Sequence, residues 1–94
     1  MSNDDLQKKR VEGAALIEKN IQDLAQDYGI DISKIEWNLG REIIDRTSHH
    51  LTIETGGKTE ENDFDDSELV NFSEKVGTAL TLGKIASMIL SLRS

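Results

Sequence analysis

The segment TALTLGKIASMILSL, residues 78–92, is the most apolar run of the chain, and Lys84 is its only charge. Large apolar residues recur in it at steps of three, four and three, which is the spacing of one helical face: Leu82, Ile85, Ile89 and Leu92. A second row, of small residues, lies beside that face: Ala79, Gly83 and Ala86. The segment therefore predicts a helix with a wide apolar surface, of the kind that lies in a core or at a subunit interface.

Composition narrows the classes of function. The chain has 94 residues, 36% of them hydrophobic, so we expect a single domain, residues 1–94, with one small core. Its net charge of −7 works against binding to nucleic acid or to anionic membranes. Segment 78–92 is shorter than the ~20 apolar residues that cross a bilayer, so we expect no membrane partner. The absence of cysteine excludes disulfides and suits a cytoplasmic location, which we expect.

The N-terminal part of the chain has a helical pattern. Apolar residues recur there at steps of three and four: Val11, Ala14, Ile17, Ile21, Leu24 and Tyr28. This stripe predicts a long helix over about residues 4–28, and Gly29 is well placed as the left-handed residue after its end. Gly13 lies inside this helix, where glycine costs about 1 kcal/mol relative to alanine.

Residues 33–46 fit two different periods. Read with a period of 3.6, the apolar residues form a helical stripe: Ile32, Ile35, Leu39 and Ile43. Ser33 and Glu36 fit a capping box at the start of such a helix. Read with a period of two, Ile35, Trp37 and Leu39 lie on one side of a strand, and tryptophan is more frequent in strands. We favour the helix and keep the strand as the alternative.

Residues 48–65 have the pattern of a β-hairpin. Leu51 and Ile53 alternate with polar residues, and Gly56-Gly57 supplies the positive φ angles of a two-residue turn. Acidic residues crowd the return strand and the residues after it: Glu60, Glu61, Asp63, Asp65, Asp66 and Glu68. Asp66 or Ser67 then caps a further helix, and Gly77 either separates it from the last helix or lies within one continuous helix.

These patterns together predict one α+β domain. It has a long N-terminal helix, a short second helix (or strand), an acidic β-hairpin and one or two C-terminal helices. We expect most of the core to come from sixteen apolar residues: Val11, Ile17, Ile21, Leu24, Ile35, Leu39, Ile43, Leu51, Ile53, Phe64, Leu69, Phe72, Val76, Leu80, Ile85 and Ile89.

Residues 21–39, IQDLAQDYGIDISKIEWNL, resemble the helix-turn-helix signature, with Ala25 in the first helix, Gly29 in the turn and Ile35 in the second helix. With the hairpin in the place of a wing, the order of elements resembles that of winged-helix proteins. The resemblance implies a DNA-binding transcription regulator, whose second helix would present five residues: Ser33, Lys34, Trp37, Asn38 and Arg41. Because the hairpin is acidic where phosphates require positive charge, this function is the alternative.

The favoured hypothesis is a small, acidic, non-enzymatic interaction module. No nucleophile or phosphate-binding motif is present, and the adjacent His49 and His50 of a strand point to opposite faces, so we predict no catalytic residue, cofactor or metal. The partner is another protein or a second copy, giving a homodimer. We predict that it binds an apolar surface and an acidic surface formed by six residues: Leu82, Ile89, Leu92, Glu60, Glu61 and Asp63.

Overall fold

The computed structural model describes residues 3–44 and 47–93. In chain order its elements are helix α1 (Asn3–Asp27), strand β1 (Lys34–Trp37), a 3₁₀ turn (Asn38–Gly40), strands β2 (Ser48–Thr55) and β3 (Lys58–Asp65), and helices α2 (Asp66–Glu74) and α3 (Ala79–Arg93). The predicted α+β class is confirmed, together with the long first helix, the acidic hairpin and two C-terminal helices.

The three strands form an antiparallel sheet in the order β1-β2-β3. Gly56 and Gly57 join β2 to β3 with φ angles of 38° and 99°, so the predicted two-residue turn is confirmed. The register places Ile35 opposite Ile53, and these side chains lie on the sheet face that joins the core. The other face is polar because every second residue of the strands is charged or hydrophilic.

The helix favoured over residues 33–46 is wrong, and the alternative strand is found. Strand β1 pairs with β2, which turns Ile35 and Trp37 toward the core with a period of two. Asn38 and Leu39 then take left-handed conformations, with φ angles of 51° and 58°, and end the strand. Leu39 is consequently exposed instead of lying in the core. Residues 45 and 46, the last of this stretch, lie outside the described residues.

Ser33 and Glu36 form no capping box, because no helix begins there. The N–H and the hydroxyl of Ser33 both donate to the carbonyl oxygen of Glu54, at 2.8 and 3.0 Å, and so extend the pairing with β2. A capping box does form at α2, where the Glu68 side chain accepts the Asp65 N–H at 2.8 Å. Helix α2 therefore has Asp65 as its N-cap, and the predicted caps, Asp66 or Ser67, are wrong by one or two residues.

Helices α1, α2 and α3 pack on the sheet around one core. Its buried apolar residues come from every helix and strand: Ala14, Ile17, Ile21, Ala25, Trp37, Leu51, Ile53, Phe64, Leu69, Phe72, Ile85, Met88, Ile89 and Leu92. Helix α1 lies close to α2 at Gly13, where a side chain would collide with the backbone of Leu69. This close approach explains why glycine occupies a position inside a long helix.

Several predicted core residues lie elsewhere. Val11, Val76 and Leu80 are about half exposed or more, so their assignment to the core is wrong. Leu24, Ile35 and Ile43 pack against the core but are only partly buried. Val11 is exposed because its neighbour Arg10 is the residue of this helical turn that faces inward, where it bonds Asp66.

A sharp turn separates the last two helices. Lys75 ends α2 in a left-handed conformation with φ of 59°, and Gly77 follows with φ of 57°. Of the two alternatives left open at Gly77, a break and one continuous helix, the structure has the break. The axes of α2 and α3 differ in direction by 107°. Among the described residues, no helix by itself is long and apolar enough to cross a membrane; only this bent pair, taken together, has the necessary length and composition.

Candidate interaction surface

Helix α3 turns one face toward the core. The buried side chains on that face are spaced three or four residues apart, with one adjacent pair: Thr81, Ile85, Met88, Ile89 and Leu92. The apolar members belong to the same cluster as the core-facing residues of the sheet and of α1. Burial of this face holds α3 against the domain and fixes which residues remain on its outer side.

Lys84, the only charge of segment 78–92, strengthens this orientation. Its ammonium group lies 2.7 Å from Glu68 Oε2 and donates to the carbonyl oxygen of Asp63 at 2.9 Å. The Thr81 hydroxyl donates to the other Glu68 oxygen at 2.9 Å. Burial acts to raise the pKa of Glu68, but the bonds from Lys84, a backbone N–H and Thr81 outweigh it and hold that pKa below its usual value.

The outer face of α3 carries no charged side chain from Ala79 to Ser91, a range that the structure describes throughout. The residues on it are exposed or half-buried: Ala79, Leu80, Leu82, Gly83, Ala86, Ser87, Leu90 and Ser91. Leu82 and Leu90 are 42% and 48% exposed. We call this surface the α3 face. In a chain of which 31% is charged, an apolar face of this length is typical of a contact surface.

A groove opens beside the start of the α3 face. Its volume is about 240 Å³. It is lined by residues of α1, of α2, of the first part of α3 and of the turn between α2 and α3: Leu16, Asn20, Phe72, Lys75, Thr78 and Leu82. Leu82 thus belongs both to the groove and to the α3 face. The groove and the α3 face are therefore continuous.

The structure divides the three predicted apolar contact residues. Leu82 lies on the α3 face, whereas Ile89 and Leu92 are 0% and 5% exposed and belong to the core. Their assignment to a docking surface is therefore wrong. Leu90, which the prediction omitted, is the residue that the surface gains. Nine of the fifteen residues of α3 are apolar and they occur on both sides of the helix, so the sequence alone does not distinguish the inner leucines from the outer ones.

The three predicted acidic contact residues lie on two faces of the hairpin. Glu60 is opposite Ile53 on the helix-facing side, and Glu61 and Asp63 lie on the open side of the sheet. His50 bridges this open pair: its Nε2 lies 2.8 Å from Glu61 Oε1 and its Nδ1 lies 2.8 Å from Asp63 Oδ1. Both bonds require the imidazolium, because a neutral imidazole has one N–H. The hydrogen bond to Glu61, followed by that to Asp63, raises the pKa of His50.

A buried polar network, which sequence patterns did not indicate, joins four elements. The Arg10 guanidinium donates to both oxygens of Asp66, at 2.5 and 2.9 Å, and His49 Nε2 lies 2.7 Å from the same carboxylate. Asn38 bonds the other nitrogen of His49 and also accepts the His50 N–H at 2.9 Å. Burial acts to raise the pKa of Asp66, but its bonds from Arg10 and His49 outweigh it and lower that pKa.

This network also fixes the tautomer of His49. The Asn38 oxygen is occupied by the His50 N–H, so the Asn38 amide group is turned toward His49 Nδ1 as a donor. Nδ1 must then accept, and the proton lies on Nε2, where it is donated to Asp66. The arrangement lies inside the domain and ties α1, the 3₁₀ turn, β2 and α2 together, so we interpret it as structural.

The five residues that the helix-turn-helix resemblance implied for DNA contact do not share one surface. Trp37 and Asn38 are buried, and Ser33 is bonded to β2. Lys34 is paired with Glu36 of its own strand and with Glu54 of the neighbouring strand β2, at 3.6 Å each. Arg41 is exposed beyond the 3₁₀ turn. Because residues 33–40 form a strand and a tight turn, the recognition helix that this function requires is not formed.

The described ranges, 3–44 and 47–93, contain no group of three His, Asp or Glu side chains that could hold a metal ion. We consider the α3 face with its groove for function, because it combines exposed apolar side chains with a concave surface. Comparisons with protein families, with curated proteins and with solved structures found no match to this chain.

Proposed function

We propose that this protein is a small, non-enzymatic interaction module that self-associates through the α3 face. One observation carries the proposal: an apolar helical face free of charge is exposed on an otherwise acidic chain. Removing apolar surface from water is the main driving force of protein association. The cysteine-free composition suits a reducing cytoplasm, and we place the module there.

The α3 face is not needed to complete the fold. The inner side of α3 already fills its part of the core, and the Lys84–Glu68 pair anchors the helix from the same side. Leu82 and Leu90 therefore contribute little to the stability of a single copy, since exposed positions of this kind change stability by about 0.5 kcal/mol or less. A charged residue at either position should impair association and leave folding intact.

Sedimentation equilibrium tests the proposal. The average mass of the wild type should rise above the monomer mass of 10.5 kDa as concentration increases. Leu90→Glu places a charge on the α3 face and should hold the chain at the monomer mass. Val11→Glu is the matched control, because Val11 is 47% exposed but lies on α1, and this variant should associate like the wild type. A wild type that stays monomeric at high micromolar concentration would refute self-association.

A further inference from the structure

The imidazole of His49 is fully buried, and its two ring nitrogens bond different parts of the domain. We infer that His49, besides its structural role, is an acid-sensitive latch on the 3₁₀ turn Asn38–Gly40. The neutral ring holds this turn closed, and a ring that takes up a proton releases the turn while the rest of the domain stays folded. The inference is independent of the α3 face and of self-association.

The bond between Asn38 and His49 forms only with the neutral imidazole. The backbone N–H of His50 must donate, so the Asn38 side-chain oxygen faces it at 2.9 Å, and the Asn38 amide nitrogen faces His49 Nδ1 at 3.2 Å. A proton on Nδ1 would place two donors opposite each other. A half turn of the Asn38 amide would satisfy Nδ1, but it would set the amide NH₂ group against the His50 N–H. In either case the protonated ring costs Asn38 one of its two side-chain bonds.

The 3₁₀ turn depends on the side chain of Asn38. Asn38 and Leu39 have positive φ angles of 51° and 58°, a conformation that is unfavourable for leucine above all. Leu39 is 69% exposed, so burial of its side chain does not compensate for the backbone. The two side-chain bonds of Asn38 join the turn to β2. Loss of one of them therefore favours a more extended backbone at residues 38 and 39.

The other nitrogen of His49 responds to the proton in the opposite direction. His49 Nε2 lies 2.7 Å from Asp66 Oδ1, and a positive ring strengthens this hydrogen bond. Arg10 donates to the same carboxylate and keeps both of its bonds. The proton thus breaks the link between β2 and the turn but preserves the links that join α1, β2 and α2. We therefore expect the turn to open while the domain remains folded.

The charges around His49 also oppose a second proton on the closed ring. Arg10 from α1 and Asp66 from α2 face each other there, and their charges cancel. The neighbours from β1 and β3 are the uncharged rings of Trp37, edge-on to His49, and Phe64, opposite His49 in the sheet. An imidazolium would therefore add an unbalanced positive charge to a buried site. An open turn admits water to Nδ1, where water accepts the new N–H and screens the charge.

The size of the effect follows from the number of protons bound. Histidine is the side chain that ordinarily becomes charged between pH 8 and pH 5. The open state binds one proton more than the closed state, so the ratio of open to closed turns rises as pH falls, by at most about tenfold per pH unit. His50 acts with the opposite sign, because its imidazolium bridges Glu61 and Asp63 and supports the hairpin in acid.

Amide hydrogen exchange measured by NMR tests the latch. The His50 N–H, which is bonded to Asn38, should lose protection between pH 8 and pH 5, by up to about tenfold per pH unit after correction for the intrinsic exchange rate. The Ile21 N–H, inside α1, is the reference and should keep its protection. Nitrogen chemical shifts of the His49 ring should show the second proton over the same range.

Two outcomes of that experiment overturn the inference. An equal loss of protection at residues 50 and 21 would show that acid unfolds the whole domain. Constant protection at residue 50 would show that the turn does not respond to acid.

Two variants test whether the bond between Asn38 and His49 is responsible. Asn38→Asp keeps an acceptor for the His50 N–H, and its second carboxylate oxygen can accept a proton-bearing Nδ1, so the residue 50 amide should stay protected down to pH 5. His50→Asn is the control: it removes the other histidine but keeps the backbone N–H of residue 50, which should lose protection as in the wild type. If Asn38→Asp loses protection in acid, or His50→Asn does not, His49 is not the latch.

Discussion

Gly13 makes a sharp prediction about how α1 and α2 fit together. A Cβ at residue 13 would lie 2.6 Å from the carbonyl carbon of Leu69 and closer still to its oxygen, whereas ordinary van der Waals contact begins at 3.4 Å. The obstacle is the backbone of a helix, which cannot rotate aside as a side chain can. Gly13→Ala therefore forces α1 and α2 apart by more than an ångström, at a place where Leu69 is fully buried.

The magnitude follows from two opposing terms. Replacing glycine with alanine inside a helix raises the free energy of unfolding by about 1 kcal/mol. Overpacking of a filled core costs about 1–3 kcal/mol and more where the neighbours are rigid. Since the contact is with backbone, we take the upper part of that range and expect a net loss of about 2 kcal/mol. For a domain of this size, that loss corresponds to a fall in Tm of about 8–16 °C.

Urea unfolding followed by circular dichroism measures this difference. Gly83→Ala is the matched control, because Gly83 also lies inside a helix but has no atom within 4 Å of the added Cβ. At a concentration low enough to keep the chain monomeric, Gly83→Ala should raise the unfolding free energy by up to about 1 kcal/mol. The same substitution, glycine to alanine, should thus lower the unfolding free energy at residue 13 and raise it at residue 83. A stable Gly13→Ala variant would show that the helices are not in contact at residue 13.

Three further predictions concern charged groups. Lys84→Met leaves the buried Glu68 carboxylate without its cation and should lower the unfolding free energy by about 3 kcal/mol in urea unfolding at neutral pH. Lys19→Met is the control, because it removes an exposed ion pair and should change the unfolding free energy by less than about 0.5 kcal/mol. Equal effects of the two substitutions would contradict the anchoring role of Lys84. His50→Asn should be less stable than the wild type by an amount that is greatest below about pH 6.5 and disappears as pH rises through the raised pKa of His50, because only the imidazolium bonds both carboxylates. Melting temperatures over that range test this, and a difference independent of pH would contradict it. Burial raises the pKa of Glu18, so the folded state binds that proton more tightly and loses stability as pH climbs from about 4.5 through the raised value. Glu18→Gln should therefore be more stable than the wild type at neutral pH but not at low pH. Urea unfolding curves at both pH values measure the difference in unfolding free energy, and a difference that does not increase toward neutral pH would contradict the prediction.

The elements with strong local patterns were predictable from the sequence. The stripe of α1 and the glycine at its end each specify a helix of defined extent, because both signals depend on neighbours within one or two turns. The hairpin is equally local, since Gly56-Gly57 joins two strands that pair directly. These elements needed no knowledge of distant contacts, and the structure confirms them.

Residues 33–46 show where local patterns fail. The helical and the alternating interpretation use almost the same apolar residues, so periodicity does not separate them. The pairing of β1 with β2 decides the outcome, and its partners are separated by 14 to 20 residues along the chain. When β1 pairs with β2, Trp37 is buried beside Phe64, with the two ring centroids 5.7 Å apart. A helix would have lost this contact.

The site was predictable only in outline. The apolar character of α3 indicated a contact surface. Which side of α3 faces outward depends in part on the bond between Lys84 and Glu68, sixteen residues earlier in the chain. The network of Arg10, His49 and Asp66 is still less visible, because polar residues dispersed along the chain have no periodicity to reveal them. Long-range polar contacts of this kind depend on the complete fold.

The contact between Arg10 and Asp66 has a consequence for synthesis on the ribosome. The two residues are 56 positions apart, and the turn of α1 that carries Arg10 meets α2 rather than any element close to it in sequence. At about 5–20 residues per second, the ribosome needs several seconds to add the chain that separates them. During that interval the apolar stripe of α1, with Ile17 and Ile21, has emerged without the helix that will cover it. The nascent chain therefore passes through a stage at which the apolar stripe of its first helix is exposed to water, before the domain closes around it.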